Sequence, residues 1–177
     1  MRVLIALLFM LVSVGTSFGV EEAFARTSPG EIEVKVLPAG RLLENGGTSG
    51  SYFEQSGRLF GPLFSYIKGH NISMTTPVEA SIEPGTMSFW VAPGQEERAE
   101  EASGGIRVRD VPERRVVAIG ARGGYSRENF EKARDQLFAW LEEQEELSMV
   151  GEPFAVYWNG PMTPWFLKTF EVMVEVE

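Results

Sequence analysis

The chain has 177 residues but no cysteine, and His70 is its only histidine. Without cysteine the protein can form no disulfide, no thiolate metal site and no cysteine nucleophile. One histidine does not define a Ser/His/Asp triad, and a Gly-x-Ser-x-Gly elbow is absent. There is also no His/Glu zinc spacing and no phosphate-binding Gly-x-x-x-x-Gly-Lys loop. These absences leave a binding pocket, rather than a catalytic motif, as the feature that must carry the function.

Positive charge is scarce as well. The chain has 16 Lys and Arg residues against 25 Asp and Glu residues, so its formal net charge is −9. A surface of this sign repels the phosphates of nucleic acids and of anionic lipids. We therefore expect no nucleic-acid partner, and no membrane partner once the leader described next has been removed.

The first 25 residues have the pattern of a secretory signal. Arg2 gives the basic start, Val3 to Val14 is an apolar run, and Ala23 and Ala25 are small residues where a signal peptidase reads the chain. The apolar run is short for a membrane span, although retention as an anchor is the alternative. We predict cleavage after Ala25, leaving one periplasmic or secreted domain over residues 26–177.

An internal repeat organises the remaining chain. Ile32 to Leu43 reads IEVKVLPAGRLL, and Ile106 to Val117 reads IRVRDVPERRVV, at a constant offset of 74 residues. Both segments alternate apolar and polar residues, turn at a proline and continue as an apolar strand. The shared register predicts a duplicated unit, with one copy over residues 31–91 and the other over 105–176.

Each strand-turn-strand segment precedes a predicted helix. Apolar residues recur with helical spacing from Leu59 to Ile67, and Pro62 inside this pattern indicates a helix that begins or kinks there. Ser126 is placed to cap a second helix that runs to about Glu145. The strands predicted after the helices are Ser73 to Ile82, Thr86 to Val91, Pro153 to Trp158 and Phe170 to Val176. The pattern predicts an α+β fold in which a duplicated strand-strand-helix-strand-strand unit forms a mostly antiparallel distorted barrel or curved sheet with two helices.

Several motifs of the chain resemble those of the SOUL haem-binding family. They are FSYIKGHNISMTTPV at Phe64 to Val78, MSFWV at Met87 to Val91, and YWNGPMTPWFLKTFEVMV at Tyr157 to Val174. Their order and spacing are more specific than any one of them. The resemblance implies a duplicated fold shared with gyrase-inhibitor-like effector-binding domains. It also implies binding of haem or another tetrapyrrole in an apolar cleft. We expect a monomeric protein that is not an enzyme.

A tetrapyrrole needs a flat apolar slot with cationic or hydrogen-bonding groups at one rim for its propionates. The residues predicted to form this cleft are Phe60, Phe64, Lys68, His70, Met74, Tyr157, Met162, Trp165, Phe166 and Glu171. Trp165 and Phe166 follow Pro164 in a predicted loop, where large apolar side chains need a cleft to fill.

Iron ligation has few candidates because haem iron takes His, Met, Cys or Tyr. His70 lies between Gly69 and Asn71, so it is either an exposed turn residue or an axial ligand assisted by Met74 or Met162. Some family members carry a histidine in the first strand, where this chain has Val36. That departure weakens the case for histidine-ligated haem.

Three functions remain open at this stage. The first is an exported tetrapyrrole carrier or buffer with weak, reversible binding. The second is a binding module for amphipathic or cationic organic molecules without haem. The third is a small-molecule hydrolase that uses Glu171 and a tyrosine such as Tyr157. Glu171 faces away from Phe170 and Val172 in the last strand, so it is either solvent-facing or a carboxylate at the floor of the cleft.

Overall fold

The computed structural model describes residues 20–46, 49–99 and 104–177. Most of the predicted leader, residues 1–19, lies outside the described residues. The strands are β1 (Glu21–Glu22), β2 (Ile32–Leu37), β3 (Gly40–Gly46), β4 (Thr75–Thr76), β5 (Val78–Ser81), β6 (Thr86–Trp90), β7 (Ile106–Val111), β8 (Arg114–Arg122), β9 (Met149–Tyr157) and β10 (Thr169–Val176). The helices are α1 (Tyr52–Gly69) and α2 (Arg127–Leu141), with short 3-10 turns at Glu96–Arg98 and Trp165–Leu167. Neither α-helix is long and apolar enough to cross a bilayer.

Local capping sets where the helices begin. Ser51 and Glu54 form a reciprocal capping box at the start of α1, so the helix begins at Tyr52 and Pro62 lies inside it. Of the two alternatives for Pro62, a helix that begins there is therefore wrong. Ser126 caps α2 as predicted, since its hydroxyl accepts a hydrogen bond from the Asn129 backbone N–H at 3.2 Å. This helix ends at Leu141, four residues before the predicted Glu145.

Eight strands form one sheet in the order β2-β8-β10-β9-β5-β6-β3-β7, with every neighbouring pair antiparallel. The two repeated segments pair with each other and not within themselves. Ile32 of β2 lies opposite Ile119 of β8, and Ile106 of β7 lies opposite Asn45 of β3. Asn45 and Ile119 are themselves 74 positions apart, so the two pairings are related by the same offset as the sequence repeat. The predicted α+β class is confirmed in its curved-sheet form, because β2 and β7 remain as open edges and the sheet does not close into a barrel.

One face of the sheet carries both helices and the main core. Helix α1 packs on β3, β6 and β7, whereas α2 packs on β8 and β10. The last strand shows why the sequence folds this way. Phe170, Val172 and Val174 all point into this core and are buried, as their period-two alternation predicts. The cleft described below opens on this helix-bearing face.

The opposite face is covered by most of residues 20–29, which we call the N-terminal segment and whose first residue, Val20, reaches the cleft described below. Its strand β1 pairs in parallel with β4, and the Phe24 ring makes edge contacts with Trp90 at 5.8 Å and Trp158 at 5.5 Å between ring centroids. The segment lies so close to the sheet that a Cβ atom at Gly120 would meet the Ser28 carbonyl oxygen at 2.3 Å. Residues 20–25, which the leader prediction would remove, are therefore packed on the domain.

A buried carboxylate fixes the N-terminal segment to the sheet. Glu171 is fully buried on β10, where it accepts hydrogen bonds from the Thr27 backbone N–H at 3.0 Å and from Trp158 Nε1 at 2.8 Å. Its other oxygen pairs with Lys35 Nζ at 2.6 Å. The charge is thus compensated on all sides, which is the condition under which an acid is tolerated in a protein interior.

Removal of residues 20–25 should destabilise the domain. The loss of the Phe24 contacts alone is expected to cost about 2 kcal/mol, less than for a fully buried phenylalanine because Phe24 is half-buried. Urea unfolding of chains that begin at Val20 and at Arg26 measures the difference, with Phe24→Ala in the longer chain as the matched variant. Equal unfolding midpoints for the two chains would contradict this packing.

Lys35→Met should lower the free energy of unfolding by about 3 kcal/mol, because it leaves the Glu171 carboxylate buried without its cation. Adding Glu171→Gln to Lys35→Met should recover part of this loss, since the uncompensated charge disappears. Chemical denaturation of the two single variants and the double variant measures the coupling. Strictly additive effects would show that the two side chains do not interact.

Candidate ligand-binding cleft

An apolar cleft of about 560 Å³ opens on the helix-bearing face, beside α1 and the loop that joins β9 to β10. Tyr52, Ser56, Phe60 and Phe64 line it from successive turns of α1, since residues four apart share one face of a helix. The other lining residues are Val20, Gly57, Met74, Thr76, Val78, Met87, Tyr125, Tyr157, Asn159, Gly160, Pro161 and Lys168. The volume falls within the usual range for small-molecule pockets, about 300–1,000 Å³.

Stacked aromatic rings form the α1 wall. Phe60 stacks on Phe64 with 5.6 Å between ring centroids, and it makes an edge contact with the buried Phe89 at 5.4 Å. Phe64 keeps 39% of its surface exposed. This wall can therefore offer a flat apolar surface to a ligand without any change in the core behind it.

Three tyrosines form the inner part of the cleft. Tyr157 lies between Tyr52, which stacks on it at 5.5 Å, and Tyr125, whose ring centroid is 4.3 Å away. Burial raises the pKa of Tyr125 to about 12, and it also raises the pKa values of Tyr52 and Tyr157 above their usual value. All three are therefore neutral phenols at physiological pH, and each retains a proton to donate.

The polar rim comes from the β9–β10 loop. Asn159 anchors it: its backbone N–H donates to the Tyr125 hydroxyl at 2.8 Å, and its side-chain oxygen accepts from the Thr169 backbone N–H at 2.7 Å. Lys168 Nζ lies 4.9 Å from the centre of the Tyr125 ring. Lys168 is the only charged residue among those that line the cleft, so the local field favours an anionic group in a chain of net charge −9.

Four of the predicted cleft residues do line the cleft: Phe60, Phe64, Met74 and Tyr157. Four others lie near its margin. Lys68 Nζ sits 5.4 Å from the Phe64 ring, outside the lining itself. Met162, Trp165 and Phe166 belong to the loop whose two ends supply Pro161 and Lys168, and they are 92%, 71% and 54% exposed. They do not fill the cleft.

The structure does not bring His70 or Glu171 to the cleft. The His70 ring stacks on Tyr66 at 4.0 Å, and its Nδ1 lies 2.8 Å from the Tyr66 carbonyl oxygen, at the C-terminal end of α1. Glu171 lies under the N-terminal segment on the other face of the sheet. Among the residues that the structure describes, no cluster of His, Cys, Asp and Glu could hold a metal ion.

The predicted cleft residues did not include Tyr52, Tyr125, Asn159 or Lys168, although the sequence offered Tyr52 as an aromatic residue for an apolar slot and Lys168 as a cation for the propionates. A usable signal existed for Tyr52. Ser51-Tyr52-Phe53-Glu54 is a capping-box sequence, and a helix started there places Tyr52, Ser56, Phe60 and Phe64 on one stripe. Tyr125 and Asn159 gave no such signal, because their positions depend on contacts between distant loops.

A second concave surface of about 540 Å³ is polar and lined mainly by arginine and glutamate. Arg114 is its most buried cation, and it pairs with Glu79 at 2.9 Å and with Glu175 at 3.3 Å. Its charges are neutralised internally, so this surface offers a ligand much less than the apolar cleft does.

Solved structures share this fold at low sequence identity. The EcmrR C-terminal domain aligns with a TM-score of 0.64 and 15% identity, over 83% of this chain and 97% of that one. EcmrR in its complex with DNA aligns with a TM-score of 0.64 and 16% identity, over 83% of this chain and 57% of that one. A hydrolase from Listeria innocua aligns with a TM-score of 0.56 and 11% identity, over 85% of this chain and 94% of that one. At these identities the likeness shows the fold alone.

No curated protein sequence matches the chain. The chain does match the profile described as SOUL heme-binding protein over residues 20–175. The match includes α1, the β9–β10 loop and every residue that lines the cleft. The chain therefore belongs to the SOUL heme-binding protein family.

Proposed function

We propose that this chain is an exported tetrapyrrole-binding protein that holds haem weakly and reversibly in the apolar cleft and serves as a carrier or buffer. One observation carries the proposal beyond the family. The cleft pairs an aromatic wall with a single lysine and has no carboxylate among its lining residues. That combination suits a flat apolar molecule with negatively charged edges.

The residues present fit such a ligand. Phe60 and Phe64 offer a flat face to the macrocycle, and Lys168 offers a charged hydrogen-bond donor to a propionate. Lys68, next to Phe64, can meet a second propionate at the margin. Haem here is cargo, so these residues need only bind and orient it and shield it from water.

Packing alone predicts modest affinity. Removing about 400 Å² of ligand surface from water at about 25 cal/mol per Å² stabilises the complex by about 10 kcal/mol. Association costs at least about 4 kcal/mol. The balance of about 6 kcal/mol corresponds to a dissociation constant of tens of micromolar, which favours transfer or buffering over permanent retention.

The exposed loop residues extend the binding surface. Trp165 and Phe166 contact each other edge-on at 5.8 Å and are exposed between the cleft residues Pro161 and Lys168. Apolar side chains exposed together next to a pocket usually serve an interaction. We infer that they fold onto the part of the ligand that projects beyond the cleft.

The two other functions receive less support from the geometry. A carboxylate in the cleft would favour binding of organic cations, but Glu171 lies on the opposite face and is neutralised by Lys35. A hydrolase using Glu171 with Tyr157 meets the same obstacle, because the sheet separates the two groups. An amphipathic organic anion other than haem remains compatible with the cleft.

Titration with haemin tests the proposal directly. We expect the Soret band to shift and saturate, with a dissociation constant of about tens of micromolar. A thermal-shift screen with organic cations tests the alternative binding module. Stabilisation by cations without any haemin response would favour the alternative binding module and refute the haem proposal.

Lys168→Glu should weaken haemin binding by about tenfold or more, because it replaces a charged donor with a group that repels the propionates. Lys132→Glu on the exposed face of α2 changes the net charge equally and serves as the matched control. Absorbance titration measures the haemin affinity of both variants. Equal losses of affinity would show that the effect comes from the overall charge and not from Lys168 itself.

Trp165→Ser should weaken haemin binding by about fivefold, because an apolar contact with the projecting part of the ligand is lost. Met149→Ser, which removes an exposed apolar side chain at the start of β9, should leave the affinity unchanged. An unchanged affinity for Trp165→Ser would place this loop outside the binding surface.

A further inference from the structure

One buried hydroxyl of the cleft is left without a partner. Among the described residues, the buried side-chain polar atoms that make no hydrogen bond are Trp90 Nε1, Arg114 Nε and Tyr157 Oη. Only Tyr157 lines the cleft. A buried polar group without a partner costs about 1–3 kcal/mol, so its presence calls for an explanation in terms of water, an ion or a ligand.

The neighbouring phenol is already committed elsewhere. The Tyr125 hydroxyl accepts from the Asn159 backbone N–H at 2.8 Å and lies 3.1 Å from the Thr169 carbonyl oxygen, to which it can donate. It therefore holds the β9–β10 loop in place. The Tyr157 hydroxyl lies in the same group of rings but makes no hydrogen bond. Its oxygen can therefore interact with a ligand.

The side chains that line the cleft include few groups that could coordinate haem iron. Haem iron is held by His, Met, Cys or Tyr. The lining residues include no histidine or cysteine, and their only such donors are Met74, Met87 and the three tyrosines. Ferric iron is harder than the metals that select thioether sulfur, so an oxygen donor is preferred.

We propose that Tyr157 Oη is the axial ligand of ferric haem in this cleft. The inference rests on the proposed haem-binding function and names the residue that coordinates the iron. On coordination the Tyr157 O–H bond breaks and its proton goes to water. The phenolate oxygen then gives an electron pair to the iron, whose outgoing water ligand it replaces, and no atom changes oxidation state.

The resulting charges suit the site. A phenolate is costly in a dry pocket, and burial already holds the pKa of Tyr157 well above its usual value. The positive charge of the ferric centre offsets that cost only when iron is present. The same cleft therefore distinguishes iron-loaded from iron-free tetrapyrrole, although both share the apolar face and the propionates.

Side-chain movement is needed for contact, because Tyr157 is only 4% exposed. The proposal assigns this movement to Phe60 and Met74, which line the same cleft and are only partly buried. Rotations of this kind are fast and leave the sheet unchanged.

A paired titration tests the proposal in the full chain, with haemin as one ligand and iron-free protoporphyrin IX as the other. Tyr157→Phe should weaken haemin binding by at least about tenfold and change protoporphyrin affinity by less than about twofold. It should also abolish the phenolate-to-iron charge-transfer band in the visible spectrum. Replacing an unpartnered hydroxyl by hydrogen is close to neutral for folding, so the variant is expected to fold.

Tyr52→Phe is the matched control in the same cleft, and His70→Ala tests the only histidine. Both should leave the ratio of haemin to protoporphyrin affinity as in the wild type. Equal effects of Tyr157→Phe on the two ligands, no effect on either, or an iron-selective loss in Tyr52→Phe or His70→Ala instead would each overturn the assignment. If the wild-type chain binds neither ligand, the haem-binding proposal itself fails, which is a distinct result.

Discussion

The structure depends on the crosswise pairing of its two repeated segments. Had Ile32–Leu37 folded back on Gly40–Gly46, each half would have formed a separate hairpin with two exposed edges. Pairing β2 with β8 and β3 with β7 joins the halves through long-range hydrogen bonds. The remaining strands then fill the centre of one sheet, and the two helices cover the same face. The cleft exists because α1 and the β9–β10 loop, which are far apart in sequence, meet on that face.

The two faces of the sheet differ in how charge is distributed. On the far face, Glu171 is compensated by Lys35, Trp158 and the Thr27 backbone, so a charged network holds the N-terminal segment in place. On the near face, the cleft has aromatic walls and a single lysine. Binding of an apolar anion is therefore separated from the charged contacts that stabilise the fold. A ligand can enter or leave without disturbing a buried ion pair.

Much of the fold could be predicted from periodicity. The repeat offset, the alternation in the last strand and the Ser126 cap all reflect local sequence, and the structure has each of them. Of the two alternatives for α1, a start near Pro62 was wrong, because the Ser51–Glu54 capping box sets the start earlier. Proline disrupts a helix interior without excluding it, whereas a capping box marks a start.

The site was harder to predict because it depends on tertiary contacts. Alternation showed that Glu171 faces away from Phe170, but what covers that face depends on residues 20–29, of which the sequence pattern assigned 20–25 to a leader. Phe60, Phe64 and Met74 were found because they lie in a family motif or on a helix stripe. Asn159 also lies in a family motif, at Tyr157 to Val174, but its contact with Tyr125 is a hydrogen bond between loops 34 residues apart, and no local pattern encodes such a contact.

The central claim is that the cleft beside α1 is where a tetrapyrrole binds. Amide chemical-shift mapping with diamagnetic, iron-free protoporphyrin IX tests this most directly, because it reports position and not only affinity. The account predicts that the largest shifts fall on α1 from Ser56 to Phe64 and on the loop from Asn159 to Lys168. Shifts concentrated around Phe24, Trp158 and Glu171, on the opposite face, would contradict it.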